Sequence, residues 1–476
     1  MKKYKFTLLL LFTCVVTVLQ AQEAKYVFFF IGDGMGLNQI SATEMYLAEQ
    51  QGFIGTVPLC FTQFPVTGLV KTYSKSNAVT DSSAAGTALA TGHKTANGVL
   101  SMDSTRTMAF ETIAQKAKKA GKTVGIVSTA SIDHATPAAF YAHVPSRNMY
   151  YAIGMQLAAS GFDFFAGGRF LQPVNPQNKS DKDIYQVVTE AGYTVVESGK
   201  EYANRKNKAE KMIFIQPENK GMYQPEKGRS SFPFAIDRKD DDLTLLEITE
   251  AAIDFLSRKN DGFFLMVEGG AIDWACHSND AATVFAEVLD FDKAVSLAYE
   301  FYLQKPDSTL IIVTADHETG GMAMGNSDYT LNLSILSNQQ ISEAELSVKM
   351  RALRQQYGLS LTWLQMRELL KTTMGFWQAV QLSEDEEKSL LEEFQRFREN
   401  TSSTSENEYF VTEEMAVKAK RILNVKSKIG WTTPAHSGAM VPVFAIGVEC
   451  ELFSGFMENT NIPQKIEQIT KYGVEK

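Results

Sequence analysis

The stretch Tyr26-Val27-Phe28-Phe29-Phe30-Ile31-Gly32-Asp33-Gly34-Met35-Gly36 joins a continuous apolar run to an acidic residue among three glycines. A short apolar run that ends in glycine is typical of a strand buried on both faces. The glycine spacing does not match the G-x-G-x-x-G pattern of dinucleotide-binding loops. The stretch therefore predicts a buried strand followed by a tight turn, on which Asp33 is exposed where the backbone approaches an ion.

The rest of the chain alternates apolar runs with amphipathic segments. Further buried-strand candidates are Thr123–Ser128, Phe263–Val267, Thr309–Thr314 and Val441–Gly447. The predicted helices are Gln39–Gln50, the run after Ser82, Met108–Ala120, Asn148–Ser160, Leu243–Arg258 and Ala281–Leu303. This alternation predicts an α/β fold with a large, mostly parallel central sheet flanked by helices on both faces. Ligand sites in such folds form outside the carboxyl ends of the strands.

Two segments differ from this pattern. Gln172–Asp241 is polar, with weak strand signals at Tyr193–Val196 and Met212–Ile215, and we interpret it as a surface excursion. Asn326–Gly430 predicts a helical insertion, residues 326–430, within a catalytic domain that spans residues 22–476. Its helical runs lie near Ser342–Tyr357, Leu361–Met374, Glu384–Arg398 and Thr412–Leu423. The insertion could shape the substrate entrance or a dimer contact.

The N-terminus and the composition limit the classes of function. Lys2, Lys3 and Lys5 precede a short apolar run, which predicts a signal peptide over residues 1–21 and an exported, periplasmic or extracellular protein. The sequence around Cys14 matches a lipidation site poorly. Loss of the three lysines lowers the net charge from −9 to about −12, which argues against a nucleic-acid partner. No other apolar run is long enough to span a bilayer, so we expect no stable membrane insertion.

The cysteines do not predict a disulfide scaffold. Three of them, Cys60, Cys276 and Cys450, remain after the predicted signal peptide. An odd number leaves at least one free thiol in an exported protein.

A second informative stretch is Val79-Thr80-Asp81-Ser82-Ser83-Ala84-Ala85-Gly86-Thr87-Ala88. A hydroxyl follows an acid at the head of a run of small, helix-compatible residues. Helix N-termini hold anions because their N–H groups are unpaired and carry a partial positive charge, so a serine there suits attack on a phosphate. Taken alone, however, Asp-Ser is also an ordinary helix cap.

Acidic residues and histidines recur beside the other predicted strands. Glu268 and Asp273 follow Phe263–Val267, and His277 stands four residues after Asp273. On a helix these last two share a face and suit zinc, although for this pair alone a surface ion pair is the safer interpretation. Asp316 and His317 follow Thr309–Thr314, and His436 precedes Val441–Gly447. Of the other histidines, we interpret His93 and His143 as structural or surface residues.

With these residues, the chain resembles the alkaline phosphatases, a family of metal-dependent phosphomonoesterases. The matching segments are Tyr26–Arg147, Phe263–Gly321 and Thr433–Gly447. The resemblance implies that Ser82 is the nucleophile and that Arg147 binds phosphate, with Asp81 placed to orient the arginine. It implies two Zn²⁺ and one Mg²⁺. The implied ligands are Asp273, His277 and His436 for one zinc; Asp33, Ser82, Asp316 and His317 for the second; and Asp33, Thr136 and Glu268 for magnesium.

The implied activity is hydrolysis of small phosphate monoesters through a covalent phosphoserine. Two zinc ions would hold the attacking and the leaving oxygen of an in-line displacement. The alternatives are a phosphodiesterase or sulfatase of the same superfamily and, with little support, a non-catalytic phosphate-binding protein. Relatives are usually homodimers, but the sequence itself shows no interface.

Three residues bear on how the chain departs from the family pattern. His134 stands near the magnesium position, where it could bind metal directly or only organise water and pack. Trp274 stands where some members carry a charged or imidazole side chain near the phosphate, so phosphate affinity and product release should differ. Cys276 adjoins His277, and we interpret it as a small buried residue because the zinc ligand set is complete without it.

Overall fold

The computed structural model describes residues 23–217, 222–224, 228–259, 261–325, 329–406 and 411–473. The predicted signal peptide, residues 1–21, lies outside this part of the chain. Within it, no helix has both the length and the apolar character needed to cross a bilayer.

The centre of the molecule is a ten-stranded sheet. Its strands are β1 (Tyr26–Gly32), β2 (Val66–Lys71), β3 (Thr123–Ser131), β4 (Phe164–Gly168), β5 (Tyr193–Val196), β6 (Lys211–Ile215), β9 (Phe263–Gly269), β10 (Thr309–Thr314), β17 (Val441–Gly447) and β18 (Gly455–Glu458). Their order is β18-β2-β17-β10-β1-β9-β3-β4-β6-β5. Only β17 runs antiparallel to its neighbours β10 and β2. The predicted mostly parallel α/β fold is confirmed.

Short two-stranded ribbons complete the β-structure of the described residues. They pair β7 (Met222–Gln224) with β8 (Gly228–Ser231), β11 (Glu318–Thr319) with β16 (His436–Ser437), β12 (Met322–Met324) with β15 (Ile429–Trp431), and β13 (Thr404–Glu406) with β14 (Val411–Glu413).

Helices surround the sheet. They are α1 (Leu37–Gln50), α2 (Ser82–Thr91), α3 (Ile113–Lys119), α4 (Ala135–Ala138), α5 (Tyr150–Ala159), α6 (Ile184–Glu190), α7 (Gly199–Arg205), α8 (Leu245–Leu256), α9 (Ala271–His277), α10 (Ala281–Gln304) and α15 (Asn461–Thr470). Five of the six helices predicted for this part of the chain begin within two residues of the predicted position. Helix α3 begins five residues after the predicted Met108, because Thr112 and Gln115 form a capping box that fixes its start.

The phenylalanines of β1 show that both faces of the sheet are covered. Phe28 and Phe30 contact Phe301 and Phe291 of α10, with ring centroids 5.4 and 5.8 Å apart. Phe29 points to the other face and contacts Phe140 at 6.0 Å. Because successive side chains of a strand point to opposite faces, a strand with two covered faces has to be apolar throughout. This is why β1 is a continuous apolar run and does not alternate.

The interpretation of Gln172–Asp241 as a surface excursion was wrong in part. Its two weak strand signals form β5 and β6, which extend the parallel sheet beyond β4. Both strands are short, so neither carries a strong pattern of its own. Ile213 and Ile215 are nevertheless buried against the rest of the sheet.

Four helices lie between β12 and β15, the two strands of one ribbon. They are α11 (Glu343–Tyr357), α12 (Trp363–Met374), α13 (Glu384–Arg398) and α14 (Glu414–Ser427). Met322 is paired with Trp431 and Met324 with Ile429, so the chain leaves and returns at one point. We name helices α11–α14, with the segments that join them, the helical insertion.

The carboxyl of Asp237, a half-buried residue, links the helical insertion to the rest of the described structure. Asp237 accepts hydrogen bonds from the backbone N–H and the hydroxyl of Ser342, the N-cap of α11, at 2.8 and 2.6 Å. Burial raises the pKa of Asp237 to about 7, from an ordinary value of 3.8, although the bonds from Ser342 lower it. The folded protein therefore holds a proton here that the unfolded chain releases near pH 4.

We expect this proton to make stability depend on pH. Stability falls as the pH rises from 4 to 7, because the unfolded state then binds fewer protons than the folded state. The free energy of unfolding of the wild type should drop by about 2–4 kcal/mol relative to Asp237→Asn over this interval. Urea unfolding at several pH values measures the difference. Asp240→Asn, at a neighbouring exposed acid, is the control; parallel curves for wild type and Asp237→Asn would contradict the prediction.

Candidate active site

Polar side chains collect at the carboxyl edge of the central strands. Asp33 directly follows β1, Asp316 follows β10, Glu268 lies near the end of β9, and Thr136 lies on α4 after β3. Strand β1 is hydrogen-bonded to both β9 and β10, and β9 also to β3. Parallel strands bring residues that follow them to one edge, so side chains far apart in sequence meet there.

Ser82 is the first residue of α2 and is fully buried. Asp81 caps this helix by accepting a hydrogen bond from the N–H of Ala84 at 3.0 Å. The serine Oγ therefore lies at the positive end of a ten-residue helix. It is 3.2 Å from Nε2 of His317. Asp81 thus caps a helix, and Ser82 faces the polar cluster.

The ring of His317 lies at the centre of this cluster. Its Nε2 is 3.3 Å from Oδ1 of Asp33 and 3.2 Å from Oδ2 of Asp316. Its Nδ1 is 3.2 Å from the hydroxyl of Thr319, which donates a hydrogen bond to Asp273 at 2.6 Å. A hydroxyl has one proton, so Thr319 accepts the proton of His317 Nδ1. The lone pair of Nε2 therefore faces the two carboxylates and Ser82.

Asp273, His277 and His436 form the other half of the cluster. His277 Nε2 is 3.3 Å from Oδ2 of Asp273 and 3.2 Å from Nε2 of His436. The short ribbon β11–β16 pairs Thr319 with His436. It stacks the rings of His317 and His436 with centroids 3.6 Å apart.

The protonation of these two histidines follows from their outer contacts. His277 Nδ1 is 2.6 Å from the carbonyl of Pro434, and His436 Nδ1 is 2.8 Å from the carbonyl of Thr80. A carbonyl oxygen only accepts, so each Nδ1 carries the ring proton and each Nε2 presents a lone pair. Two lone pairs 3.2 Å apart repel each other unless a cation lies against both. Backbone contacts of this kind commonly orient histidines that bind metals.

Three buried carboxyls of the cluster have raised pKa values. Burial, and then the neighbouring Asp316, raises the pKa of Asp33 well above its ordinary value. Burial, and then Asp273, does the same for Asp316. Burial raises the pKa of Glu268 to about 7. Burial, and then His436, holds the pKa of His317 well below its usual range. The site thus gathers buried acids around a neutral imidazole.

Four buried carboxylate oxygens of this cluster have no hydrogen-bond partner among the described residues. They are Oδ1 of Asp33, Oε1 of Glu268, Oδ2 of Asp273 and Oδ2 of Asp316. Such oxygens are costly in a protein interior unless a cation binds them. Two groups of three residues are close enough to share an ion. Each residue offers one ligand atom, and within a group these atoms lie within 4.8 Å of one another: Asp33, Asp316 and His317 form one group, and Asp273, His317 and His436 the other. Carboxylate oxygens and imidazole nitrogens in this mixture fit zinc.

An oxygen-rich region adjoins these groups. Thr136 donates a hydrogen bond to Oδ2 of Asp33 at 3.3 Å, and Ser128 donates one to Oε2 of Glu268. Carboxylate and hydroxyl oxygens without nitrogen suit a magnesium ion that keeps several of its waters.

Arg147 approaches the Ser82 side of the site through Asp81. Its Nη1 donates to Oδ2 of Asp81 at 3.3 Å, and the same oxygen accepts the N–H of Gly98 at 3.0 Å. Arg147 Nη2 lies 3.3 Å from Nε2 of His134, whose ring contacts Trp274 edge-on at 5.7 Å. The guanidinium is thereby held beside the Ser82 turn.

The family model for alkaline phosphatase matches residues 24–166 and 163–472. The chain belongs to the alkaline phosphatase family. It is 32% identical to alkaline phosphatase 3 of Bacillus subtilis over 461 residues, which cover 95% of this chain and 90% of that one. The members of this family are metal-dependent, in agreement with the ligand groups described above.

Solved alkaline phosphatases share the fold. The cold-active alkaline phosphatase of Shewanella sp. aligns with a TM-score of 0.76 at 29% identity, over 94% of this chain and 99% of that one. A variant of the alkaline phosphatase from the Antarctic bacterium TAB5, with aspartate in place of a histidine, was solved with Mg bound in its M3 site. It aligns with a TM-score of 0.64 at 26% identity, over 96% of this chain and all of that one.

Sequence reasoning missed several residues that support the site of this alkaline phosphatase. Thr319 links His317 to Asp273, and Ser128 holds Glu268. Glu318 accepts hydrogen bonds from Gln39 at 2.7 Å and from Gly321. Their types are ordinary, and only the position of Glu318 and Thr319 directly after Asp316-His317 could have suggested them.

Gly34 is fixed by the closeness of its neighbours. Its φ is +73°, and a Cβ here would lie 2.9 Å from Cα of Asp273 and 2.9 Å from the hydroxyl of Thr319. Only glycine allows this backbone to pass so close to the ligand-bearing turn. The glycine-rich turn after β1 is thus explained by its close approach to Asp273 and Thr319, and Asp33 on this turn is buried, whereas the sequence predicted it to be exposed.

The remaining histidines lie apart from the cluster. His93 stacks on Phe110 with centroids 4.5 Å apart. His143 contacts Gln115 at 2.9 Å and the carbonyl of Ser101 at 3.0 Å. Cys276 is fully buried, and its sulfur is 3.8 Å from Nε2 of Gln39.

Proposed function

We propose that this enzyme hydrolyses small phosphate monoesters through a covalent phosphoserine on Ser82. The observation that carries the proposal is the position of Ser82 Oγ, at a helix N-terminus and 3.2 Å from the lone pair of His317. Around it lie three imidazole lone pairs and four buried, unpartnered carboxylate oxygens. A neutral serine becomes a nucleophile only where its proton is easily lost, and cations at these ligands favour that loss.

We propose two zinc ions and one magnesium ion. Asp273, His277 and His436 would hold one zinc. The second would be held by Asp33, Asp316 and His317, together with Ser82. Asp33, Thr136 and Glu268 would hold the magnesium, and the Mg found in the M3 site of the TAB5 variant supports such a third site. When bound, the zinc ions act as Lewis acids on the attacking and leaving oxygens.

In the first half of the reaction, Ser82 Oγ loses its proton and forms a bond to phosphorus. The bond between phosphorus and the alcohol oxygen breaks, that oxygen takes up through solvent the proton that Ser82 has lost, and the alcohol leaves on the side opposite Ser82. Arg147 binds two non-bridging oxygens of the phosphoryl group with its planar fork of N–H donors. Asp81 and His134 hold the guanidinium in that orientation.

In the second half, a water molecule attacks the phosphoserine from the side that the alcohol has left. The bond between Ser82 Oγ and phosphorus breaks, inorganic phosphate leaves, and Ser82 regains its proton. Trp274 brings no charge to this region, so we propose that phosphate release does not depend on a side chain at that position.

We expect Arg147→Ala to lower kcat/KM for an aryl phosphate by roughly 10- to 150-fold, the loss of about 1.5–3 kcal/mol that a charged hydrogen bond contributes. Arg147→Lys should restore little, because an ammonium cannot make the bidentate contact. His134→Ala should cause a smaller loss in the same direction. Steady-state kinetics measures these effects, with the exposed Arg106→Ala as the control. Unchanged kinetics in Arg147→Ala would contradict the role given to this arginine.

The alternative within the superfamily is a phosphodiesterase or a sulfatase. The test is to compare kcat/KM of the metal-loaded enzyme on an aryl phosphate, a bis-aryl phosphate and an aryl sulfate. A preference for the phosphate monoester over the diester is expected, since the Arg147 fork needs two free phosphoryl oxygens besides those held at the metals. A preference for the diester or the sulfate would overturn the proposed substrate class.

We propose that the protein is exported and acts in the periplasm or outside the cell. The basic residues and the short apolar run near the N-terminus support export. They lie outside the described residues.

A further inference from the structure

The segment Ser278-Asn279-Asp280 directly follows His277 and accepts hydrogen bonds from the helical insertion. Asn424 of α14 donates a hydrogen bond to the carbonyl of Asn279 at 2.6 Å. Lys420, one turn earlier on α14, donates to the carbonyl of Ser278. The N–H of Glu343, the first residue of α11, donates to the carboxylate of Asp280 at 2.9 Å. Three consecutive residues after a candidate zinc ligand thus contact the insertion.

The side chain of Asn279 binds the backbone on both sides of His277. Its Nδ2 donates to the carbonyl of Cys276 at 2.9 Å and to the carbonyl of Thr433 at 3.0 Å. The next residue, Pro434, provides the carbonyl that accepts the ring proton of His277. Asn279 therefore joins the end of α9 to the loop that orients the imidazole.

The backbone of Asn279 is suited to this task. Its φ is +49°, in the left-handed region that asparagine tolerates better than most residues. Its N–H donates to the carbonyl of Cys276 at 2.8 Å, and the N–H of Asp280 donates to the carbonyl of Ala275 at 3.0 Å. These bonds end α9 directly after His277 and aim the Asn279 amide at Thr433.

We propose that Asn279 and Asn424 are positioning residues, through which the helical insertion fixes His277 and the Thr433–His436 loop for the zinc held with Asp273. The inference rests on the proposed zinc sites and gives the insertion a role that differs from shaping an entrance or a dimer contact. Asn424 fixes the position of Asn279, Asn279 fixes the carbonyls of residues 433 and 434, and these fix which nitrogen of His277 carries the proton. Contacts behind a ligand of this kind typically change metal affinity by about 10–100-fold.

The test uses Asn279→Gly and Asn424→Ala in the full chain. Glycine keeps the left-handed backbone and removes the amide of residue 279. The control is Asn400→Gly, since Asn400 also has a positive φ (58°) at the end of a helix but lies on the exposed end of α13. Zinc affinity is measured by competition with a chromogenic chelator, zinc content by elemental analysis, and the melting temperature of the metal-free protein by calorimetry.

We expect both variants to bind one of the two zinc ions about 10–100-fold more weakly and to leave the other unchanged. The double variant should be no weaker than Asn279→Gly, because both residues act in one chain of contacts. The melting temperature of the metal-free protein and the properties of Asn400→Gly should stay near those of the wild type. Added zinc should restore turnover in both variants.

Unchanged zinc affinities in both variants, beside a wild type that binds two zinc ions, would overturn this inference while leaving the proposed function intact. A lower melting temperature with unchanged zinc affinities would also overturn it, because the contacts would then be only structural. A wild type that binds no zinc would instead refute the proposed function itself.

Discussion

Replacing Ser82 with alanine is expected to lower turnover of an aryl phosphate by about 10³- to 10⁶-fold, the range over which loss of a nucleophile acts in comparable enzymes. The physical reason is that the proposed mechanism transfers the phosphoryl group to the Ser82 hydroxyl, which lies at the helix N-terminus, 3.2 Å from Nε2 of His317. The measurement is steady-state hydrolysis of p-nitrophenyl phosphate. Labelled phosphate should be trapped on the wild-type chain at low pH and not on the variant.

The next residue offers a matched control. Ser83 is equally buried and belongs to the same helix turn, but its hydroxyl donates to Oδ2 of Asp81 at 2.6 Å. Ser83→Ala should cost no more than about 10-fold, in keeping with one hydrogen bond of about 1 kcal/mol. Equal losses in the two variants, or undiminished turnover in Ser82→Ala, would show that Ser82 is not the nucleophile.

Removal of bound metal is expected to lower turnover by at least about 10²-fold, because metal ions contribute several kcal/mol of charge stabilisation in the transition state. It should also destabilise the fold. A ligand present at 1,000 times its Kd stabilises the folded state by about 4 kcal/mol, and that contribution disappears with the ion. Dialysis against a chelator, followed by stepwise return of zinc and then magnesium, tests both effects. Activity and the denaturation midpoint should recover together.

A carboxylate variant distinguishes this effect from chelator damage. Asp316→Asn removes a carboxylate whose buried Oδ2 has no hydrogen-bond partner. Chelation should therefore destabilise this variant less than the wild type. Asp307→Asn, at an exposed acid just before β10, should respond as the wild type does. Full turnover in wild-type protein that contains no measurable zinc or magnesium would refute the metal-dependent mechanism.

The sequence allowed much of the fold to be predicted, for reasons visible in single elements. Strands β1, β9 and β10 are largely apolar because neighbouring elements cover both of their faces. Such runs can be recognised in the sequence without a structure. Strands β5 and β6 were located by weak signals, but their place in the main sheet was missed, because they are short and lie within a polar segment at one end of the sheet. Their pairing with β4 depends on contacts distant in sequence, which no local pattern reports.

By itself, the sequence determined which residue types are available and which of them lie at the ends of strands or at the start of a helix. Asp33, Asp316 and Glu268 could be placed at strand ends, and Ser82 at a helix start, because burial and capping leave local signals. The tertiary structure alone decided which of them meet. The pairing of β11 with β16 stacks His436 on His317, and the carbonyls of Pro434 and Thr80 set the protons of two histidines. These contacts join segments more than 100 residues apart, so their geometry exists only once the sheet has brought its strand ends together.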